Sequence, residues 1–66
     1  MSIGETIKSL RIEKGMTQTE LALLLFTSQD TISLWERNKS LPDVKSVIKL
    51  SSIFQVTTDY ILGVEK

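Results

Sequence analysis

An all-α fold of five short helices is the class this sequence predicts, and three observations lead to it. Apolar residues recur at three- and four-residue spacing along most of the chain. A Ser or Thr followed three residues later by Glu twice precedes such a run, at Ser2/Glu5 and Thr17/Glu20, which is the spacing of a reciprocal helix cap. Strand-like alternation over four or more residues is not evident. The 66 residues are roughly half of a usual domain of ~100–150, so one small domain, residues 1–66, is expected, and a two-domain enzyme is excluded.

The first helix, about residues 2–15, follows from Ile3, Ile7 and Leu10, which share one face at i, i+4 and i+7. Ser2 and Glu5 cap its start, and Gly15 supplies a left-handed stop. Thr17 and Glu20 then precede Leu21, Ala22 and Leu25, so a second, short helix begins only two residues after the first ends. That gap forces a sharp turn. Thr27 and Ser28 are alternative caps for a third helix that turns Ile32 and Trp35 inward, and Asn38 is able to take the left-handed conformation that ends it. The stretch Leu41-Pro42-Asp43 interrupts the chain, because proline restricts the residue before it, and Asp43 is placed to cap the next helix. Val44, Val47, Ile48 and Phe54 form the expected apolar side of this fourth helix. Thr57 or Thr58 caps the last, with Tyr60, Ile61 and Leu62 wholly or partly inward and Gly63 at its end.

Composition removes several functions. The chain has no Cys and no His, which eliminates disulfide staples, thiol nucleophiles, zinc-finger spacings and imidazole catalysis together. Stability must come from packing, for which 41% hydrophobic residues are an adequate supply. The longest purely apolar run, residues 21–26, falls far short of the ~20 residues of a membrane span, and the N-terminus lacks the layout of a signal peptide. A soluble, cytoplasmic protein is expected. Eight basic and eight acidic side chains cancel, so net charge by itself recommends no partner. The carboxylates are scattered one or two to a helix without metal-ligand spacing, and Gly4, Gly15 and Gly63 lie too far apart to cradle a phosphate. No enzyme, metal, cofactor or small-molecule ligand is expected.

The informative stretch runs from Gly15 to Pro42. Two short helices joined by a tight turn, the second opening on small polar residues, allow one helix to cross a DNA backbone while the next enters the major groove. The first must hold the second by its apolar side, through Leu21, Ala22, Leu25, Ile32 and Trp35. Ser28, Gln29, Asp30, Thr31, Ser33 and Leu34 are then left facing outward. Trp35 reads as core, since its i+3 spacing from Ile32 points it inward.

The segment Gly15-Met16-Thr17-Gln18-Thr19-Glu20-Leu21-Ala22, followed by Ser28-Gln29-Asp30-Thr31-Ile32-Ser33-Leu34-Trp35-Glu36-Arg37-Asn38-Lys39 and Pro42, resembles the helix-turn-helix of the lambda repressor, Cro and xenobiotic-response-element regulators. Ile3-Gly4, Leu10-Arg11, Val56 and Asp59-Tyr60-Ile61-Leu62-Gly63 extend the likeness over about the whole chain. The resemblance implies a helix-turn-helix at about 17–37 and a bacterial or phage transcription regulator that binds double-stranded DNA. Gln29, Asp30, Ser33 and Leu34 match positions that face bases. In chemical terms Gln pairs with adenine, Asp accepts from cytosine, and Leu touches a thymine methyl. Gln18 matches a position that contacts phosphate and braces a neighbouring recognition side chain, with Thr17 as its cap. Ser28 and Thr31, beside and among the reading residues, are further candidates for contact with the DNA backbone. Arg37, Asn38 and Lys39 match a phosphate-gripping loop, and Lys45 is a further phosphate candidate. Arg11 and Glu36 match an internal salt bridge. Asp30 keeps a second reading, because a carboxylate in a helix's first turn is favoured by the helix dipole whatever it binds.

Two departures stand out. Phe26 occupies the inter-helix turn where the family usually has Gly, a position that favours positive φ, and Gln55 replaces a frequent Gly before Val56. Leu23 and Leu24 stand where polar, exposed residues are usual. With Phe26 they form either an enlarged core or an apolar partner surface. A neutral module with few phosphate contacts gains little from counterion release, so a homodimer on symmetric half-sites ~34 Å apart is expected. Its interface is sought in Tyr60, Ile61 and Val64 or in Leu23, Leu24 and Phe26. The rival expectation is a helix-turn-helix fold used as a protein-interaction module, in which DNA binding is absent or secondary.

Overall fold

The computed structural model describes residues 1–64, which contain α1 (Ile3–Glu13), α2 (Gln18–Leu24), α3 (Gln29–Glu36), α4 (Val44–Phe54) and α5 (Thr58–Leu62), with no strand among them. The expected five helices are all present; α1 is two residues shorter at its C-terminal end. Both reciprocal caps form. Ser2 Oγ accepts from the Glu5 N–H while Glu5 accepts from the Ser2 N–H, and Thr17 and Glu20 repeat the arrangement. The backbone bond from Ser2 also holds the Glu5 carboxyl below its ordinary pKa. Ser28 caps α3 through the Thr31 N–H, and Thr57 caps α5 through the Tyr60 N–H. Asp43 departs from expectation: its carboxylate accepts from the Ser46 hydroxyl instead of a backbone N–H. That bond lowers its pKa.

Each helix closes in the same way. Gly15, Phe26, Asn38, Gln55 and Gly63 have left-handed φ between 55° and 77°, and the following N–H reaches back to a carbonyl five residues earlier, as in Met16 to Arg11, Thr27 to Ala22 and Lys39 to Leu34. This closure satisfies carbonyls that a helix end leaves unpaired. Phe26 therefore keeps the turn that glycine would favour, at a conformational cost of ~1–2 kcal/mol.

The helices surround one apolar core of Ile7, Leu10, Leu21, Ala22, Leu25, Ile32, Trp35, Val47, Leu50, Phe54 and Ile61. Ile7, Leu21, Ile32, Leu50 and Ile61 are fully buried, and each such burial stabilises by ~1.5–3 kcal/mol. In α4 the buried stripe is Val47, Leu50 and Phe54, which corrects the expected set. Val44, in the first turn, lies beyond the core's edge, and Ile48, one residue past Val47, is rotated ~100° away. Both are exposed and line an apolar groove of about 350 Å³ with Pro42, Val47, Thr58 and Leu62. No helix among the described residues is long and apolar enough to cross a membrane.

Candidate nucleic-acid interface

Helices α2 and α3 pack on each other through Leu21, Ala22, Leu25, Ile32 and Trp35. This leaves Gln29 and Asp30 exposed, Thr31 and Ser33 half-buried, and Leu34 38% exposed. The outward set expected of α3 is thus presented on one short helix.

Beneath that set lies a chain of polar contacts. Arg11, on α1, donates Nε to Glu36 Oε2 at 2.7 Å and Nη2 to Glu36 Oε1 at 3.0 Å, while its Nη1 donates to the Met16 carbonyl at 2.7 Å. The side chains of the pair are only 11% and 3% exposed. Hydrogen bonding to Glu36 raises the Arg11 pKa, so the guanidinium stays charged. Glu36 Oε1 also accepts from Gln18 Nε2 at 3.0 Å, and Gln18 Oε1 accepts from Gln29 Nε2 at 2.6 Å. The internal salt bridge and the bracing glutamine implied by the resemblance therefore belong to one network spanning three helices.

The flanking residues are also engaged. Ser28 and Thr31 share a hydroxyl–hydroxyl bond of 3.0 Å, and Arg37 Nε donates to Ser33 Oγ at 3.2 Å, which folds the arginine along α3. Asn38 turns toward α1: its Oδ1 accepts from the Gly4 N–H at 3.1 Å and its Nδ2 donates to Ser2 Oγ at 3.0 Å. Its side chain therefore docks α1 on the end of α3. Lys39 and Lys45 are exposed. Lys45 shares a recess of about 320 Å³ with Leu25, Phe26, Asp43, Ser46 and Lys49, and the Lys49 ammonium sits 4.5 Å from the centre of the Phe26 ring.

Leu23, Leu24 and Phe26 are 70%, 51% and 86% exposed, which decides between the two expectations: they do not enlarge the core. Ile61 is the correction. It is fully buried among the core residues and cannot serve an interface without unfolding α5, whereas Tyr60 and Val64 are exposed.

Sequence reasoning missed Gly4 and Lys49. A Cβ on Gly4 would lie 2.3 Å from the Trp35 carbonyl and 2.9 Å from that of Glu36, so glycine there permits the backbones of α1 and α3 to touch. The only signal was a lone glycine in a helical pattern, which marks close approach without naming its neighbour. Nothing in the sequence linked Lys49 to Phe26.

The helix-turn-helix family model HTH_3 matches residues 7–61. The HTH-type transcriptional regulator ImmR of Bacillus subtilis (strain 168) is 40% identical over 63 residues, covering 96% of this chain and 50% of that protein. The chain thus spans about half the length of that relative. Among solved structures, the P22 c2 repressor in complex with a synthetic operator superposes with a TM-score of 0.91 at 29% identity over 98% of both chains. The biofilm regulator SinR in complex with DNA gives 0.80 at 32% identity, over 89% of this chain and 95% of that one. Similarity across both helices, their turn and the packing that supports them leads to one conclusion: the chain belongs to the helix-turn-helix family of the lambda repressor and Cro type.

Proposed function

We propose that this chain is the sequence-specific, double-stranded-DNA-binding part of a cytoplasmic transcription regulator, and that it has no enzymatic activity of its own. The observation that carries the proposal is the pairing of an exposed reading edge with a fixed support: Gln29 and Asp30 project from α3, and Gln18 holds Gln29 from behind. Gln29, Asp30, Ser33 and Leu34 meet base edges in the major groove. Thr17, Gln18, Ser28 and Thr31 lie along one phosphate strand. Arg37, Lys39, Lys45 and the backbone at Asn38 grip phosphates beyond the helix, and they fix position without reading sequence. Zero net charge leaves a small counterion-release gain. Two copies on an inverted repeat with half-sites ~34 Å apart supply the missing affinity.

The test is selection from a random duplex pool at low and near-physiological salt, followed by sequencing. An inverted-repeat motif that survives the higher salt is expected, and a folded protein that enriches nothing would overturn the proposal. On the selected site, Gln29→Ala should relax preference at one base pair at a cost of ~1–3 kcal/mol, whereas Lys39→Ala should weaken binding to all duplexes and flatten the salt slope.

A second reading, a protein-interaction module, is favoured by the exposure of Leu23, Leu24 and Phe26, an apolar run that water penalises. The same run serves equally as a homodimer surface, as do Tyr60 and Val64. Leu24→Lys should reduce self-association in sedimentation experiments. Unchanged association and unchanged stability would remove the run from either role.

A further inference from the structure

We infer that Glu36, beyond its ion pair with Arg11, sets which base Gln29 selects, acting through Gln18 as a polarity relay. The inference rests on the proposal that Gln29 faces a base edge.

The polarity follows from donors and acceptors. An ionised carboxylate only accepts hydrogen bonds, whereas a glutamine amide has one accepting and one donating end. Glu36 turns its carboxylate inward onto the Arg11 guanidinium, with contacts of 2.7 and 3.0 Å. The end of Gln18 that faces Glu36 must therefore be its amide nitrogen, as the 3.0 Å contact has it. Its oxygen is then turned toward Gln29, and the end of Gln29 that faces Gln18 must donate, as the 2.6 Å contact has it. One N–H of Gln29 is consumed in this way. The groups left for DNA are its carbonyl oxygen and its second N–H.

One acceptor beside one donor is the complement of adenine, whose major-groove edge offers the N6 donor and the N7 acceptor; guanine offers two acceptors, N7 and O6. Glu36 is 25 residues from Arg11 and 18 from Gln18, and at 8% exposure it is screened from a bound duplex. It is a positioning residue for specificity that need not touch DNA. If residue 36 could donate, Gln18 could rotate its amide, offer its NH2 to the Gln29 oxygen, and leave Gln29 with two N–H groups outward. That arrangement suits guanine.

The test is Glu36→Gln, which keeps shape and replaces one accepting oxygen by a donor. Selection and competition binding on the four duplexes that differ at the pair read by Gln29 should show preference moving from adenine toward guanine by about tenfold, with other positions unchanged. Repeating the substitution in a Gln18→Leu background should abolish the switch, because the middle of the relay is gone. A uniform loss of affinity on all four duplexes, or the same switch without Gln18, would overturn the inference, since a merely structural Glu36 predicts those results. Circular dichroism establishes folding of each variant. Should Glu36→Gln not fold, Gln18→Leu alone decides: it leaves the ion pair intact, and adenine preference must drop severalfold or the relay is wrong. Gln29→Ala separates the two levels. If it leaves all four duplexes bound alike while Glu36→Gln does not switch preference, the relay alone falls; if it changes nothing, Gln29 is not a reader and both readings fall.

Discussion

The half of the molecule built by α1, α2 and α3 and the half built by α4 and α5 share one apolar core but differ in what is added to it. In the first, side-chain hydrogen bonds cross long stretches of sequence: Gly4 to Asn38, Arg11 to Glu36, Gln18 to Glu36 and Gln29 to Gln18. In the second, those among the described residues stay within one turn, as in Ser46 to Asp43, Ser51 to the Ile48 carbonyl and Tyr60 to Thr57. Long-range attachment there comes from Val47, Leu50, Phe54 and Ile61 in the core. Apolar packing is non-directional and tolerates volume-conserving change. A hydrogen-bond network fixes angles, and a reading helix requires fixed angles. The proposed recognition face is thus built on the half where orientation is specified, and the half attached by packing is free to vary at its surface.

Substitutions can break this contrast. The largest effect is expected from Glu36→Ala, which strands the Arg11 guanidinium in a site where both side chains are nearly buried. Loss of one partner of a buried pair costs ~3–5 kcal/mol, and urea denaturation should give a value near the lower end because Arg11 keeps its bond to the Met16 carbonyl. Gly4→Ala comes next. Its Cβ meets backbone carbonyls, which cannot rotate away, so α1 must shift on α3 at a cost of ~2–3 kcal/mol, with amide exchange quickened at the end of α3. The smallest change is predicted in the other half. Ile48→Gln, at a residue 57% exposed, should move stability by no more than ~0.5 kcal/mol. A loss as large as that for Gly4→Ala would show the two halves to be equally specified.

Much of this organisation was legible in the sequence, and the limits have physical causes. Caps are local, so Ser2/Glu5 and Thr17/Glu20 could be read from a spacing of three. Periodicity located Ile7, Leu10, Ile32 and Trp35 in the core. It misassigned Val44 and Ile48 because a helix with apolar residues on more than one side does not reveal which stripe its neighbours cover. The ion pair and the bracing glutamine came only from family resemblance, since bonds that join residues 18 or 25 positions apart leave no local trace. For the same reason the docking role of Asn38 was invisible, although its left-handed conformation was not.

The shared manner of helix closure bears on how such a domain can change over generations. Three of the five left-handed positions, at Phe26, Asn38 and Gln55, carry side chains where glycine is easiest to accommodate. Asn38 is compensated by its contacts with α1, but Phe26 and Gln55 are exposed and each holds roughly 1 kcal/mol in reserve. A lineage that acquires glycine at either gains that margin without changing any of the proposed reading residues. Such a margin is what a recognition helix needs in order to survive costly substitutions while its target site drifts.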